Sequence, residues 1–371
     1  MTQQTWRTAW APGRVNLIGE HTDYQDGWCL PIAIGRGTTV KFRPSQDAIS
    51  VITSDRFHEV VRVNTDTVSR AQIRGADSAA AYETGWGSSV VSLIAALRER
   101  GHEIAAIEAH VHSDVPLGSG LSSSASFMVA LAMAFTDAAD SPTSQLHGVE
   151  LAHTAQRGEH INGVPCGIMD QMASVFGQEH NAVLIDCRSA TTQLIPVPDS
   201  LGVVVIHSGL PRTLADSQYA QRRIACAAAC ERLGISALRD ANLDEVADDP
   251  FARHVVTENR RVLTFVAALR ANDPSALGSI LNESHRSLAD DFMVSTPELD
   301  TLCSLLNDAG AYGARLTGAG FGGCVVALAD IEGAQVIADE AARRYQQLTK
   351  LQPLHFITAA AAGARFLANR E

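Results

Sequence analysis

An α+β protein of two closely packed domains is the architecture to expect from these 371 residues. The first sixty or so residues fall into short β-rich runs with turns. The stretch from 214 to 309 has helical spacing almost throughout, and β-rich runs return after 310. No repeat, low-complexity tract or long linker separates these parts, so the domains should pack intimately. The boundary is expected near 190–210, dividing the chain into 1–200 and 201–371.

Taken in order, "WCLPIAIG" and "GTTVKFRP" are β-rich runs parted by glycine, and "AISVIT" and "HEVVRV" follow. "SSVVSLIAALRER" has helical spacing and stops at Gly101. In "IEAHVHSDVP", Ile107, Ala109 and Val111 alternate with Glu108, His110 and His112, the pattern of a half-buried strand. "SFMVALAMAFTDAA" is apolar on almost every side, which predicts a helix buried all round. Helices are expected at 145–160 and 168–176, then strands at "NAVLIDC" and "LGVVVIHS". Further helices are expected at 214–233, 251–270, 273–289 and 296–309, with Val255, Val262, Val266 and Leu269 marking one face of the second. The closing part holds the strands "YGARLTGAG", "GGCVVALA" and "LHFITAAAA", with a helix at 331–346.

Composition narrows the functional classes. A 46% hydrophobic and 19% charged chain is that of an ordinary soluble protein. No apolar run reaches the ~18–20 residues of a membrane span, and "MTQQTWRTAWAPGRV" has no basic-then-apolar signal segment, so the cytoplasm is the expected location. A net charge of −12 argues against nucleic acid or an anionic membrane as partner. An anionic substrate must then be held by local devices: backbone amides, helix N-termini or a metal. Only Lys41 and Lys350 are lysines, so arginine carries the positive charge. The seven cysteines include no CxxC and no metal-finger spacing, and reduced buried thiols are expected; Cys226 and Cys230 lie one helical turn apart, close enough to touch.

The half-buried strand feeds into "DVPLGSGLSSSASF", residues 114–127, which looks like a phosphate cradle without a lysine. A Walker loop, GxxxxGK[ST], would need a lysine at the distance from Gly118 where Ser123 and Ser124 stand, and a dinucleotide fingerprint would need glycine where Ser123 stands. What remains is strand, Gly-Ser-Gly turn, serines and an apolar helix. Glycines let successive amides point inward, the helix N-terminus adds partial positive charge, and serine hydroxyls can bind phosphate or metal. A plain serine-capped helix explains the loop equally well when it is taken alone. Two other stretches concentrate polar residues. "APGRVNLIGEHTDYQDG", residues 11–27, packs Arg14, Glu20, His21 and Asp23 between glycines. "GVPCGIMDQMAS", residues 163–174, puts Asp170 just inside a helix, where the dipole favours its anion.

Together these stretches resemble the GHMP family of small-molecule kinases, and within it the galactokinase branch. "GRVNLIGEHTDY" is similar to that branch's signature, "PLGSGLSSSAS" to the family's ATP loop, and "LTGAGFGGC", residues 316–324, to its third, glycine-rich motif. "CGIMDQMAS", "LIDCRS", "LADSQYAQRR", "RHVVTEN" and "PELDTL" extend the likeness from residue 9 to about 328. The resemblance implies a two-domain α+β fold, with an N-terminal domain like ribosomal protein S5 domain 2 and a ferredoxin-like C-terminal domain. It implies Mg²⁺-dependent transfer of the ATP γ-phosphoryl group to the anomeric hydroxyl of a free sugar, D-galactose first. N-acetylgalactosamine, arabinose and galacturonate are the alternative substrates, and a non-catalytic sugar sensor the alternative class. Sugar and ATP would be the partners, and a monomer fits the resemblance.

Residue by residue, Asp170 falls on the catalytic aspartate and Arg14 on the arginine beside it. Glu20, His21, Asp23, Gly167 and Tyr219 fall with Asp170 on the sugar pocket. Gly118, Ser119, Gly120, Leu121, Ser122, Ser123 and Ser124 fall on the ATP loop, and Ser124 and Glu159 on the Mg²⁺ ligands. The roles suit the residue types: a carboxylate near sugar O1 can accept its proton, and an arginine beside it offsets developing phosphoryl charge. Three departures stand out. Gln25-Asp26 replaces the usual Asn-x before Gly27, beside the sugar ligands. "EHINGVPC" is one residue short, so counting back from Asp170 reaches Gly158, although alignment through "AQRGEH" keeps Glu159. Ser89 stands where the family often has a tyrosine near adenine, leaving Trp86 either a nucleotide contact or a core residue.

Overall fold

The computed structural model describes residues 5–68, 85–116, 118–141, 146–210 and 215–368. Gln145 and Leu214, at the expected starts of two helices, lie outside the described residues. The first domain is a sheet of eight strands with helices packed against it. In chain order it contains β1 (Arg7–Ile18), β2 (Trp28–Pro44), β3 (Ile49–Ser54), β4 (Val61–Asn64), helix α1 (Trp86–Glu99), β5 (Ile107–Ser113) and α2 (Ser123–Ala138). Then come α3 (Gly148–Ile161), α4 (Met169–Phe176), β6 (Asn181–Asp186) and β7 (Thr191–Pro196). The second domain is built on β8 (Leu201–His207), α5 (Ala215–Leu233), α6 (Pro250–Ala271), α7 (Pro274–Arg286), α8 (Pro297–Asp308), β9 (Gly313–Thr317), β10 (Cys324–Asp330), α9 (Ala334–Thr349) and β11 (Leu354–Thr358). The last strand, β12 (Arg365–Leu367), pairs antiparallel with β1.

The main path of the first sheet is β12-β1-β2-β5-β3-β4, with β6 joined to β2 and β7 to β6; the second sheet runs β11-β8-β10-β9. All pairs are antiparallel except β3 with β5. The second sheet starts at Leu201, but the tail crosses back to the first, so the two domains are not two consecutive lengths of chain. The glycine-parted runs expected before residue 44 are a single 17-residue strand, β2. Gly37 is not a turn there. It pairs with Pro12, and a Cβ on it would lie 2.4 Å from the Ala11 carbonyl and 2.8 Å from the Trp10 ring. Close approach, rather than chain reversal, is what requires glycine.

Three second-domain helices begin where sequence chemistry places them. Asp249, Asp273 and Thr296 each precede a proline and accept the amides of Ala252, Ala276 and Leu299. The helix expected through 289 ends at Arg286 and gives way to a π-helical turn, Ser287–Asp291. Helix α2 is buried on most sides, as its apolar sequence predicts. It joins α1, β2 and β5 in one apolar cluster. A second cluster fills the helical side of the second sheet. A third joins Val15, Leu17 and Ile32 of the first sheet to Val203, Val205 and Val326 of the second. The strand "LGVVVIH" serves both of these clusters, with Val204 and Ile206 on one face and Val203 and Val205 on the other. The shared core fixes the two domains on either side of one cleft.

Candidate active site

A cavity of about 340 Å³ opens at the junction of the domains. Its walls come from the end of β1 and the turn after it, the loop before α2, the residues 164–170 leading into α4, Tyr219 on α5, and Gly318-Ala319 after β9. The first and third glycine-rich motifs, some three hundred residues apart, thus face one space.

Arg14 and Asp170 form its charged wall. Arg14 Nε and Nη2 both reach Asp170 Oδ1, at 2.7 and 2.5 Å, and Nη1 donates to the Gly120 carbonyl at 2.5 Å. The guanidinium fork therefore ties the loop to the carboxylate. Burial opposes the charge on Arg14, but Asp170 and Glu20 outweigh it and raise its pKa further. Asp170 sits in the first turn of α4, and 26% of its side chain stays exposed, toward the cavity. Its other oxygen, Oδ2, accepts from the Ser122 hydroxyl at 2.5 Å.

Opposite lies a prebuilt polar wall. Glu20 is buried, and its Oε1 accepts from Arg315 Nη2 at 3.1 Å, the Thr317 hydroxyl at 3.1 Å and the Gly318 amide at 2.7 Å. Arg315 is itself wholly buried and also donates to the carbonyls of Leu17, Leu316 and Asn16. Behind the turn, Glu258 of α6 accepts the amides of Gly19 at 3.0 Å and Glu20 at 3.4 Å, with the Ser284 hydroxyl at 2.8 Å. Burial would raise the Glu258 pKa, but Arg261, His254 and Arg315 pull it down to about 2, so it stays ionised.

His21 adopts a left-handed backbone with φ 62°, and its ring packs 4.6 Å from Phe292 and 5.6 Å from Tyr219. It shares a hydrogen bond with the Tyr24 hydroxyl at 3.0 Å, and burial pushes its pKa down to about 3, so the ring is neutral at pH 7. Asp23 is shifted the opposite way: burial, and then the charge of Asp170, raise it to about 6. Gly167 presses against it so closely that a Cβ would stand 1.8 Å from Asp23 Oδ2. Gln25 and Asp26 turn away from the cavity, although the sequence puts them beside it. Gln25 accepts the Leu238 amide at 3.0 Å and the Cys230 thiol at 3.3 Å, while Asp26 pairs with Arg188 at 3.3 Å on the surface. Neither side chain lines the cavity.

The loop has the left-handed turns its glycines allow, φ 65° at Gly118 and 78° at Gly120. Ser119 folds back onto the Pro116 carbonyl at 2.6 Å, and Leu121 is buried with its carbonyl on the Arg14 amide at 3.1 Å. No serine side chain caps α2, so the simple serine-cap explanation of the loop fails; the amides of the first turn lack helical partners. Ser124 is exposed and its hydroxyl donates to Glu159, whose other oxygen accepts from Cys166 Sγ and Gln171 Nε2, both at 2.8 Å. Burial raises the Glu159 pKa. Gly158 points elsewhere: a Cβ there would meet Leu93 Cα at 3.3 Å. A hydroxyl and a carboxylate side by side are hard oxygen donors suited to Mg²⁺. Among the described residues no three His, Cys, Asp or Glu side chains gather into a metal group, so water and phosphate oxygens would complete such a site.

Beyond Ser123 and Ser124 a second cavity of about 140 Å³ is walled by Phe57, Trp86 and Phe127. Phe57 and Trp86 stack at 5.6 Å and 11°, and Phe127 meets Trp86 edge-on at 6.4 Å. Trp86 is thus a cavity wall with Ser89 beside it. The sequence reading missed Phe57 and Phe127 because nothing in their local pattern separates them from core aromatics. It likewise missed Gln171, Cys166, Arg315 and Glu258, whose roles arise from partners distant in sequence or turned toward them by the fold. Cys29 and Cys187 approach to 3.8 Å, a contact between thiols distant in sequence, and Cys226 and Cys230 lie in one buried cluster.

Comparison with known proteins gives a consistent picture. Residues 88–178 match the GHMP kinases N terminal domain, 265–347 the GHMP kinases C terminal domain, and 2–44 the galactokinase galactose-binding signature. The chain is 43% identical over 357 residues to galactokinase of Roseiflexus sp. (strain RS-1), covering 91% of this chain and 87% of that one. It is 35% identical over 376 residues to galactokinase of Haemophilus influenzae (strain PittEE), covering 97% and 94%. Among solved structures, Lactococcus lactis galactokinase complexed with galactose superposes with a TM-score of 0.89 at 30% identity, over 98% of this chain and 95% of that one. Mevalonate kinase of Methanococcus jannaschii shares the fold at a TM-score of 0.67 and 17% identity, over 97% and 99%.

Proposed function

The chain belongs to the galactokinase family of the GHMP kinases, and from that premise we propose how its residues divide the transfer of the ATP γ-phosphoryl group to O1 of D-galactose. The observation that carries the reading is the Arg14–Asp170 pair, poised between a polar cavity and a glycine-serine loop. Sugar occupies the larger cavity against Glu20, His21, Asp23, Gly167 and Tyr219. Asp170 accepts the O1 proton as O1 bonds to the γ-phosphorus and the bond to the β-phosphate oxygen breaks, releasing ADP. Arg14 holds the carboxylate in place and offsets charge gathering on the phosphoryl oxygens.

The loop from Gly118 to Ser124 presents its amides and the start of α2 to the phosphates. Ser124 and Glu159 would hold Mg²⁺, which supplies positive charge to the phosphate oxygens in place of the missing lysine. The aromatic cavity of Phe57, Trp86 and Phe127 offers stacking faces to adenine. Among the described residues no helix is long and apolar enough to cross a membrane. The cytoplasm, where ATP is at hand, is the location this reading calls for.

The test is ATP consumption against D-galactose, D-glucose, N-acetylgalactosamine, L-arabinose and D-galacturonate, with and without Mg²⁺. D-galactose should give the highest kcat/KM and no sugar should turn over without the metal. Asp23 is the residue expected to read the C4 hydroxyl, because a pocket that hydrogen-bonds a hydroxyl rejects the analogue that misplaces it. Another sugar outpacing galactose would remove the substrate assignment and leave the kinase.

A further inference from the structure

Ser122 breaks two rules at once. As the residue before α2 it occupies the N-cap, where serine ordinarily lies in the extended region and caps a helix amide with its hydroxyl. Here φ and ψ are 62° and 44°, in the left-handed region, and the side chain makes no cap bond. Left-handed backbone disfavours any residue with a Cβ, and glycine would relieve it. The hydroxyl instead donates to Asp170 Oδ2 at 2.5 Å, across 48 residues of sequence.

The acceptor count on Asp170 gives this bond a meaning. A carboxylate oxygen has two lone-pair positions. Arg14 Nε donates to Oδ1 at 2.7 Å and Nη2 stands 2.5 Å from the same oxygen as an ion pair, so the guanidinium lies against Oδ1. Ser122 fills one of the two on Oδ2, so a single acceptor position is left on the oxygen that Arg14 does not engage, on a side chain that faces the cavity. We propose that Ser122 is a positioning residue for phosphoryl transfer: its hydroxyl fixes the Asp170 carboxylate so that the one vacant lone pair of Oδ2 receives the O1 proton. The inference rests on the reading of Asp170 as base. It also gives a reason for a serine at a backbone position that suits glycine: its hydroxyl holds the Asp170 carboxylate.

Ser122 also lies in the phosphate loop, so its role must be separated from nucleotide binding and from strain. Ser122→Ala removes the hydroxyl and keeps the Cβ; Ser122→Gly removes both. Loss of a hydrogen bond to a charged group should lower kcat about 10–100-fold in both variants, with KM for sugar and for ATP changed less than about 3-fold. Ser122→Gly should melt at or above the wild-type temperature despite its low turnover, because its backbone is unstrained. In an Asp170→Asn background, Ser122→Gly should reduce kcat by less than about 2-fold more, since its partner carboxylate is already gone. Wild-type kcat in Ser122→Gly would overturn the proposal and leave only backbone strain. A raised KM for ATP, with full additivity in the double variant, would overturn it in favour of a phosphate contact. Near-wild-type turnover of Asp170→Asn alone would instead sink the base assignment itself, so the two failures are told apart.

Discussion

The two sides of the cleft are built on opposite plans. On the sugar side the acidic residues are already held in place: Glu20 is locked by Arg315, Thr317 and Gly318, the turn amides by Glu258, and Asp23 is wedged against Gly167. These partners come from the second domain or from across the cavity, so the pocket exists before ligand arrives. On the nucleotide side, Ser124 is exposed and the first amides of α2 await partners. A neutral sugar brings only hydroxyls and gains from preorganised acceptors. A triphosphate with its cation brings strong charge and can order the donors it meets.

The contrast is most sharply broken at the point where the sides touch. Asp170→Asn keeps the shape of the side chain and should cut kcat on the order of 10²–10⁴-fold while leaving sugar affinity, measured by calorimetry, largely intact. Near-normal turnover would make Asp170 a mere spacer. Arg14→Lys keeps a charge but loses the fork that spans Asp170 and Gly120, and should lower kcat by more than it raises KM for ATP.

Next comes the locked wall. Arg315→Met leaves the Glu20 carboxylate buried without its cation and should cost about 3–5 kcal/mol in denaturant unfolding. The folded fraction should lose sugar affinity yet still bind a nucleotide analogue. Loss of both affinities together would mean that the two sides are not independently built.

On the open side, Glu159→Gln should raise the Mg²⁺ concentration needed for half-maximal activity by roughly 10-fold, with weaker Mg²⁺-dependent nucleotide binding in calorimetry. Gly158→Ala should leave both unchanged, and the reverse pattern would place the one-residue deletion on the other side of the ligand.

Asp23 gives a smaller, pH-dependent effect. Its pKa rises from 3.8 to about 6 on folding, chiefly through burial, so between those values the folded chain holds a proton that the unfolded chain has released. Asp23 therefore favours folding below about pH 3.8, and its penalty is fully developed above about pH 6. Asp23→Asn should raise Tm by roughly 1–3 °C at pH 7.5, a gain that fades toward pH 4. A gain that is constant with pH would show that the carboxyl's charge is not the cause. The least effect belongs to Asp26→Asn, which should change the galactose-to-glucose preference by less than about 2-fold, because Asp26 faces Arg188 and solvent.

Local chemistry was enough for much of this molecule. Aspartate-proline and threonine-proline steps start α6, α7 and α8, the all-round apolar run becomes the buried α2, and the alternation at 107–112 becomes β5, because propensity, capping and side-chain period act within a few residues. The motifs likewise brought Arg14, Glu20, Asp23, Glu159 and Asp170 forward, since each residue type suits its chemistry wherever it stands. Other features needed the folded chain. That "WCLPIAIG" and "GTTVKFRP" are one strand depends on the packing of Gly37 against Trp10, and that Arg365–Leu367 belongs to the first sheet depends on pairing with residues more than three hundred positions earlier. Gln25 reads as a pocket residue until the Leu238 amide claims it, and Ser122 reads as a helix cap until Asp170 does. A hydrogen bond between distant residues leaves no period in the sequence, so its partner, and with it the role of the side chain, is decided only when the chain has folded around both.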